Sequence, residues 1–273
     1  MTLEQFDAFT TSLECELDRR GIPTVTRGDT VTWKDRAGCV KLASLSQLGR
    51  TVVLEPVSEW PRLIGSYLQI ADSAGMESEA RAEISSIRTQ LRPSEHLEEA
   101  DPDGLVWIDA LPGTILLLVV DAPDYSRTLS PAEAEALSAT GVNLFTAGML
   151  NVRSHQPERH GTTPTTMLTG DIYTSTHALW PERFLELDED WGAITSVPNR
   201  HTVVHHAVSA ESGGVLDWLI ESGVKIWKND PGPITPSLFW RQGGEVLRIV
   251  VDPQPDGAIS VRVPTELGKR INR

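Results

Sequence analysis

The sequence has only two cysteines, Cys15 and Cys39, among 273 residues. Two cysteines supply neither a disulfide framework nor a C-x-x-C metal pattern, so a stapled secreted scaffold and a zinc ribbon are excluded. The longest apolar run, Ile115 to Val120, is far shorter than the roughly 20 residues that a membrane helix needs. Met1 to Gln5 show no basic segment leading into an apolar one, so we expect no secretory signal. These absences predict a cytoplasmic protein in a reducing compartment.

Positive charge is also scarce, because 24 lysines and arginines face 38 acidic residues and give a net charge of −14. Such a charge repels phosphate backbones and anionic lipid, so we expect neither a nucleic-acid nor a membrane partner. The glycine doublets at 213–214 and 243–244 fit neither G-x-G-x-x-G nor a P-loop. We therefore predict no nucleotide cofactor, and we expect the partner to be another protein.

Hydrophobic periodicity predicts an α+β fold with a mixed or antiparallel sheet and flanking helices. Apolar residues recur every three or four positions from Leu3 to Leu17, which indicates a helix. Ser130-Pro131-Ala132-Glu133 is a capping box that should begin another helix. Ile115 to Val120 is apolar without alternation, which favours a central strand covered on both faces.

A polar, acidic stretch from Pro93 to Gly104 predicts a boundary between two lobes. We expect an N-terminal α+β lobe at 1–92 and a C-terminal α+β lobe at 104–273, which could also pack as one unit. Within them the pattern predicts helices near 78–88 and 175–185. It also predicts one sheet from Leu105 to Val251.

Polar side chains gather in the second half of the chain, where strand ends commonly place functional groups. Asp171, Tyr173 and Ser175 alternate along a predicted strand end, and Arg200 follows a Pro198-Asn199 turn. The candidate catalytic residues are Asp171, Tyr173, Ser175, Arg200, His201 and His205.

Each candidate has an alternative structural interpretation. Ser175 could cap the following helix instead of acting as a nucleophile, since it lies outside G-x-S-x-G. Arg200 could clamp a carboxylate bidentately or form a structural ion pair. His201 and His205 could join His177 and Asp171 around a divalent ion, but no H-E-x-x-H spacing supports this, so we predict no metal.

Several short motifs together resemble the YtpQ-like family, a bacterial domain of unknown function. They follow one another in order after residue 88: Leu91-Arg92-Pro93, Leu116 to Asp121, Gly148 to Val152, Asp171 to Ser175, and Ser196 to Arg200. The resemblance implies an α+β fold of this length and a cytoplasmic bacterial protein, and it supplies no activity. The first lobe is also similar to secretion-chaperone-like modules.

Two functions are compatible with these observations. The acidity, the eight scattered tryptophans and the lack of a convergent catalytic set favour a non-catalytic protein-interaction module, chaperone-like or adaptor. The alternative is an enzyme of unassigned type, with the six candidate residues forming a polar site in the C-terminal lobe.

Overall fold

The computed structural model describes residues 3–21, 24–27, 30–34, 40–44, 52, 56–66, 68, 82–99, 102–121 and 126–271. The chain divides into two compact units, Met1–Arg81 and Ala82–Arg273. The acidic stretch from Pro93 to Gly104, where a boundary was predicted, lies within the second unit. The division lies earlier because residues 87–93 pair with a strand of the second unit.

The N-terminal unit combines helices with a small antiparallel sheet. Its elements are helix α1 (Leu3–Arg19), strands β1 (Thr24–Arg27), β2 (Thr30–Lys34) and β3 (Val40–Ser44), a 3-10 turn at Val57–Glu59, and a helical stretch at 60–66. The strands lie in the order β1-β2-β3. Helix α1 buries Phe9, Leu13 and Leu17, the stripe that its periodicity predicted. The predicted helix is therefore confirmed.

The C-terminal unit is built mainly from strands. Its strands are β4 (Ile87–Pro93), β5 (Trp107–Asp109), β6 (Thr114–Asp121), β7 (Ser126–Thr128), β8 (Glu158–His160), β9 (Thr165–Thr169), β10 (Ala193–Asn199), β11 (Thr202–Ala207), β12 (Leu238–Gln242), β13 (Glu245–Pro253) and β14 (Ile259–Arg262). Its α-helices are α2 (His96–Glu99), α3 (Pro131–Ser138), α4 (Leu144–Ser154), α5 (Gly213–Asn229) and α6 (Thr265–Ile271).

These strands form two antiparallel sheets, so the predicted single sheet from 105 to 251 is wrong. One sheet has the order β14-β13-β12-β10-β11-β9-β8, and the other has β4-β6-β5 with β7 also paired to β6. The predicted α+β class is confirmed, and every strand pairing between described residues is antiparallel. The single-sheet prediction failed because β6 has β4, β5 and β7 as its neighbours, whereas the strands after residue 157 pair among themselves.

Strand β6 is interior, as its apolar run predicted. Residues 114–120 are all buried, and β6 has β4 on one side and both β5 and β7 on the other. Helices α3 and α4 cover Leu118 and Val120 with Ala134 and Leu144. The capping box at Ser130 is present, with Ser130 accepting from the Glu133 N–H and Glu133 accepting from the Ser130 N–H. Helix α5 covers the seven-stranded sheet separately, packing Leu219 against Ile194 and Trp240.

Two helix predictions need correction. Residues 84–86 form a 3-10 turn and 87–93 a strand, so a helix does not reach Arg88, while residues 78–81 lie outside the described part. The predicted helix at 175–185 is two 3-10 segments, Thr174–Leu179 and Pro181–Arg183. Pro181 lacks the N–H that a continuous α-helix would use, which explains the break.

Candidate functional site

Five of the six predicted site residues lie in two neighbouring stretches of backbone. The segment after β9 runs beside the turn between β10 and β11, because the Gly170 N–H donates to the His201 carbonyl at 3.2 Å and the Ser175 N–H donates to the Arg200 carbonyl at 3.0 Å. The five residues are Asp171, Tyr173, Ser175, Arg200 and His201. His205 lies further along β11.

The side chains of Asp171 and Tyr173 contact different partners. One Asp171 oxygen accepts from the Tyr173 N–H at 2.8 Å, and the other lies 3.1 Å from His155 Nε2. The Tyr173 hydroxyl donates to Asp121 at 2.8 Å, and Asp121 is 3.7 Å from Arg88 Nε. Burial and the neighbouring Asp121 carboxylate raise the pKa of Tyr173. Tyr173 is therefore a neutral hydrogen-bond donor that ties this segment to the four-stranded sheet, and it does not act as a base.

Ser175 lies inside the first 3-10 segment, so its predicted capping role is wrong. The N-cap position belongs to Tyr173, which makes no side-chain capping bond. Ser175 is fully buried, and its hydroxyl has no hydrogen-bond partner. A serine nucleophile needs a base within hydrogen-bond reach. The surroundings of Ser175 therefore do not activate it.

His201 and His205 occupy different environments. His201 Nδ1 donates to the Gly170 carbonyl at 3.0 Å, which fixes the turn. His205 is fully buried, shares a 2.9 Å hydrogen bond with the Thr195 hydroxyl, and stacks on the Phe184 ring at 5.7 Å between centroids. Burial lowers the pKa of His205 to about 3, so this histidine is neutral at physiological pH.

His177 belongs to the same buried aromatic cluster as His205. Its ring makes edge contacts with Trp180 and Phe184, each with centroids 5.7 Å apart. Burial, followed by the charge of Arg183, lowers the pKa of His177 to about 4. Among the described residues no group of three His, Cys, Asp or Glu side chains is placed to hold a metal ion. These two histidines therefore serve packing in this structure.

A second group of polar residues, on β4, was not predicted as a site. Arg88, Gln90 and Arg92 alternate along the strand and share one face, opposite Val119, Leu117 and Ile115 of β6. We call these three residues the β4 polar row. The alternation in Ile87-Arg88-Thr89-Gln90-Leu91-Arg92 was the signal that could have found it, since period-two patterning indicates a strand.

The inner part of the β4 polar row carries buried donors without acceptors. Gln90 is only 1% exposed, and its Oε1 accepts from Arg92 Nη2 at 2.7 Å. This bond fixes the amide orientation and leaves Gln90 Nε2 as a donor. Both Gln90 Nε2 and Arg92 Nε are buried and have no hydrogen-bond partner. Native structures rarely leave such groups unsatisfied.

Three cationic or basic groups lie close enough to influence one another here. Burial, and then the charge of Arg200, lower the pKa of Arg92 to about 9. Burial, Arg92 and Arg200 together lower the pKa of His96 to about 4. Arg200 itself is 7% exposed, and its backbone N–H donates to the Gly232 carbonyl at 2.9 Å.

Two hydrogen bonds connect the 3-10 segment that begins at Thr174 to the β10–β11 turn and to β4. Ser175 holds the carbonyl of Arg200, and the next residue, Thr176, donates from its hydroxyl to the Thr89 carbonyl at 2.9 Å. The buried 3-10 segment thus connects the β10–β11 turn to β4. These two contacts join parts of the chain that are distant in sequence.

Comparison with known proteins gives no further assignment. Protein-family models, curated proteins and solved structures each contain no match to this chain. Within the described residues, no helix is both long and apolar enough to cross a membrane.

Proposed function

We propose that this protein is a non-catalytic module that binds another protein through the outer face of helix α5. The predicted catalytic residues support the non-catalytic part of this proposal. Tyr173 is held neutral by burial and by Asp121, His205 is neutral and bonded to Thr195, and Ser175 has no hydrogen-bonded base. No hydrogen bond between described residues joins the side chains of any two of these groups.

The observation that carries the proposal is the exposure of Trp218. This residue lies in the middle of α5 and is 49% exposed, while Leu216, Leu219 and Ile220 of the same helix are buried. A half-exposed tryptophan on a rigid helix is typical of the anchors that dominate the binding energy of protein interfaces.

The charges around Trp218 indicate the chemistry of the partner. Asp217 precedes it and Glu221 lies one turn later, and both are exposed. With a net charge of −14, the chain attracts a partner that presents basic residues around an apolar pocket. The same charge disfavours nucleic acid, anionic membranes and a second copy of this chain.

We propose that the protein is located in the cytoplasm. Cys15 is exposed and carries a free thiol, which fits a reducing environment. The predicted resemblance to the YtpQ-like family is compatible with this assignment and with a bacterial source.

A comparative pull-down tests the proposal. The wild type, Trp218→Ala and Leu150→Ala are each immobilised and exposed to lysate of the source organism at 0.1 M and 0.5 M salt. Leu150 is the matched control, since it is 57% exposed on another helix, α4. We expect a stoichiometric protein that Leu150→Ala retains, Trp218→Ala loses, and high salt weakens. Equal retention by the Trp218→Ala variant would overturn the proposal.

A further inference from the structure

A pocket of about 430 Å³ lies beside the turn that joins β5 to β6. Its walls come from both sheets of the C-terminal unit, since Ser94 follows β4, residues 109–114 span the turn, and Val246 belongs to β13. We call it the turn pocket. Asp109 and Pro112 are exposed, so the pocket is open to solvent. Sites for small molecules typically enclose about 300–1,000 Å³, and the turn pocket is therefore large enough for one.

Hydrogen bonds fix the backbone that forms the turn pocket. The Leu111 N–H donates to Thr114 Oγ1 at 3.0 Å, and the Thr114 N–H donates to the Leu111 carbonyl at 2.8 Å. Ser94 donates to the Gly113 carbonyl from both its backbone N–H and its hydroxyl, at 3.1 and 3.2 Å. The pocket is thus formed before a ligand arrives, which lowers the entropic cost of binding.

Opposite charges lie at the turn pocket. The Asp109 carboxylate lines it and has no hydrogen-bond or ion-pair partner among the described residues. Arg248 packs against the turn from β13, because a Cβ at Gly113 would lie 2.6 Å from Arg248 Nη1. Gly113 has a φ of +82° and no side chain, so it leaves room for this guanidinium next to the pocket.

Arg248 also has no carboxylate partner among the described residues, although the chain contains 38 acidic residues. Its Nη2 lies 3.4 Å from the Thr235 hydroxyl, and its Nε has no hydrogen-bond partner. Asp109 and Arg248 form no ion pair with each other. A ligand that carries a positive and a negative group can bind both of them at once.

We propose that the turn pocket binds a zwitterionic small molecule of the amino-acid class, with its ammonium group on Asp109 and its carboxylate on Arg248. An ammonium donates to carboxylate oxygens, and a ligand carboxylate matches the donor fork of arginine. Leu111 and Val246 provide apolar contacts for the carbon chain. A zwitterion has no net charge, so the net charge of −14 does not repel it as it repels a simple anion. This inference rests on different residues from the Trp218 surface and is independent of it.

NMR titrations of the full chain with free glycine, β-alanine and γ-aminobutyrate test the site, because these probes hold the same two charges at increasing separation. Zwitterions leave the ionic strength unchanged, so screening does not contribute. The methyl resonances of Leu111 and Val246 report binding in the pocket. We expect at least one probe to shift both resonances saturably and to bind about tenfold more tightly than ethylammonium or propionate, which each carry one charge. No saturable shift with any zwitterion, or equal binding of a singly charged probe, would overturn the proposal.

Substitutions at the two charges separate specific binding from a general charge effect. Asp109→Asn and Arg248→Met should each weaken binding of the tightest probe by about tenfold or more. Glu135→Gln on α3 and Arg262→Met on β14 are the matched controls, since they make the same charge changes at exposed residues that do not line the pocket. Both controls should bind as the wild type does.

A third substitution at the pocket keeps the test independent of folding. Arg248→Lys retains the positive charge without the planar fork, so it should weaken binding less than Arg248→Met. Circular dichroism melting identifies the folded variants, and Asp109→Asn with Arg248→Lys decide the question if Arg248→Met does not fold. Wild-type affinity in Asp109→Asn or in a folded Arg248→Met variant, or loss of binding in either control, would contradict the assignment.

Discussion

Strands β4 and β6 lie side by side. Their pairing runs from Ile87 opposite Val120 to Pro93 opposite Thr114, yet the two strands bury different kinds of side chain. In β6, residues 115–120 are all apolar and all buried. In β4, Ile87, Thr89 and Leu91 alternate with the β4 polar row, and Gln90 is as deeply buried as its partner Leu117, each at 1% exposure. Equal burial therefore does not imply equal chemistry at the paired positions.

The two strands differ in how burial changes the free energy of folding. Burying Leu117 is favourable by about 1.5–3 kcal/mol. Burying an amide or guanidinium donor without an acceptor is unfavourable by about 1–3 kcal/mol. The two strands are therefore equally buried at these positions but contribute to the free energy of folding with opposite sign.

The largest expected effect comes from placing a charged side chain at Leu117, compared with placing an apolar one at its partner position, Gln90. Leu117→Asp places a charge in the apolar strand and should lower the free energy of unfolding by more than about 4 kcal/mol, enough to abolish cooperative folding. Gln90→Leu should cost no more than about 1–3 kcal/mol, since only the bond from Arg92 is lost. Thermal unfolding followed by circular dichroism measures both. A cooperatively melting Leu117→Asp variant would remove β6 from the core.

Acid should produce the next largest effect, because it favours the charged form of histidines that the fold buries in their neutral form. Burial lowers the pKa of His177 to about 4 and that of His205 to about 3, whereas an unfolded histidine titrates near 6.5. Between these values the unfolded chain binds protons that the folded chain excludes. The contribution of these two histidines to the free energy of unfolding is therefore fully present above about pH 7. It is lost as the pH falls through 6.5 towards 4, by about 1.4 kcal/mol per pH unit for each histidine.

Urea unfolding at pH 7.5 and pH 5.5 measures this dependence. The two histidines should lower the free energy of unfolding by about 2–3 kcal/mol at the lower pH. His96 and His206, whose pKa values burial also lowers, add to the decline. A His205→Gln variant should lose about 1.4 kcal/mol less over the same range. Equal unfolding free energies at the two pH values would show that these histidines are not buried neutral.

The smallest expected effect concerns helix α4, which packs on both β4 and β6. A Cβ at Gly148 of α4 would lie 3.1 Å from Thr89 Cγ2 in β4 and 3.3 Å from Leu118 Cδ2 in β6. Gly148→Ala should therefore destabilise the protein by about 1–2 kcal/mol, despite the better helix propensity of alanine. In α5, a Cβ at Gly214 meets nothing within 4 Å, so Gly214→Ala should be neutral or stabilising by up to about 1 kcal/mol. Equal unfolding free energies for the two variants in urea titrations would show that α4 does not pack tightly on β4 and β6.

The residues that sequence analysis selected as a site illustrate how local patterns mislead. The alternation of Asp171, Tyr173 and Ser175 predicted one shared face, but a 3-10 segment begins at Thr174 and sends these side chains to different partners. Arg200 was selected for its ability to clamp a carboxylate or form an ion pair, and the structure buries it in the β10–β11 turn, where its backbone N–H donates to the Gly232 carbonyl. Gln90 and Arg92 were missed because a predicted helix near 78–88 obscured the period-two pattern that follows.

The sequence by itself determined the elements whose signals are local. The apolar spacing of α1, the capping box of α3, the uninterrupted apolar run of β6 and the glycine turn between β12 and β13 each depend on residues within a few positions of one another. Tertiary structure alone decided that β4 pairs with β6 and that the strands divide into two sheets. Those outcomes depend on contacts between distant segments, and the energy of such contacts is set by which surfaces meet when the chain packs, which no local pattern specifies.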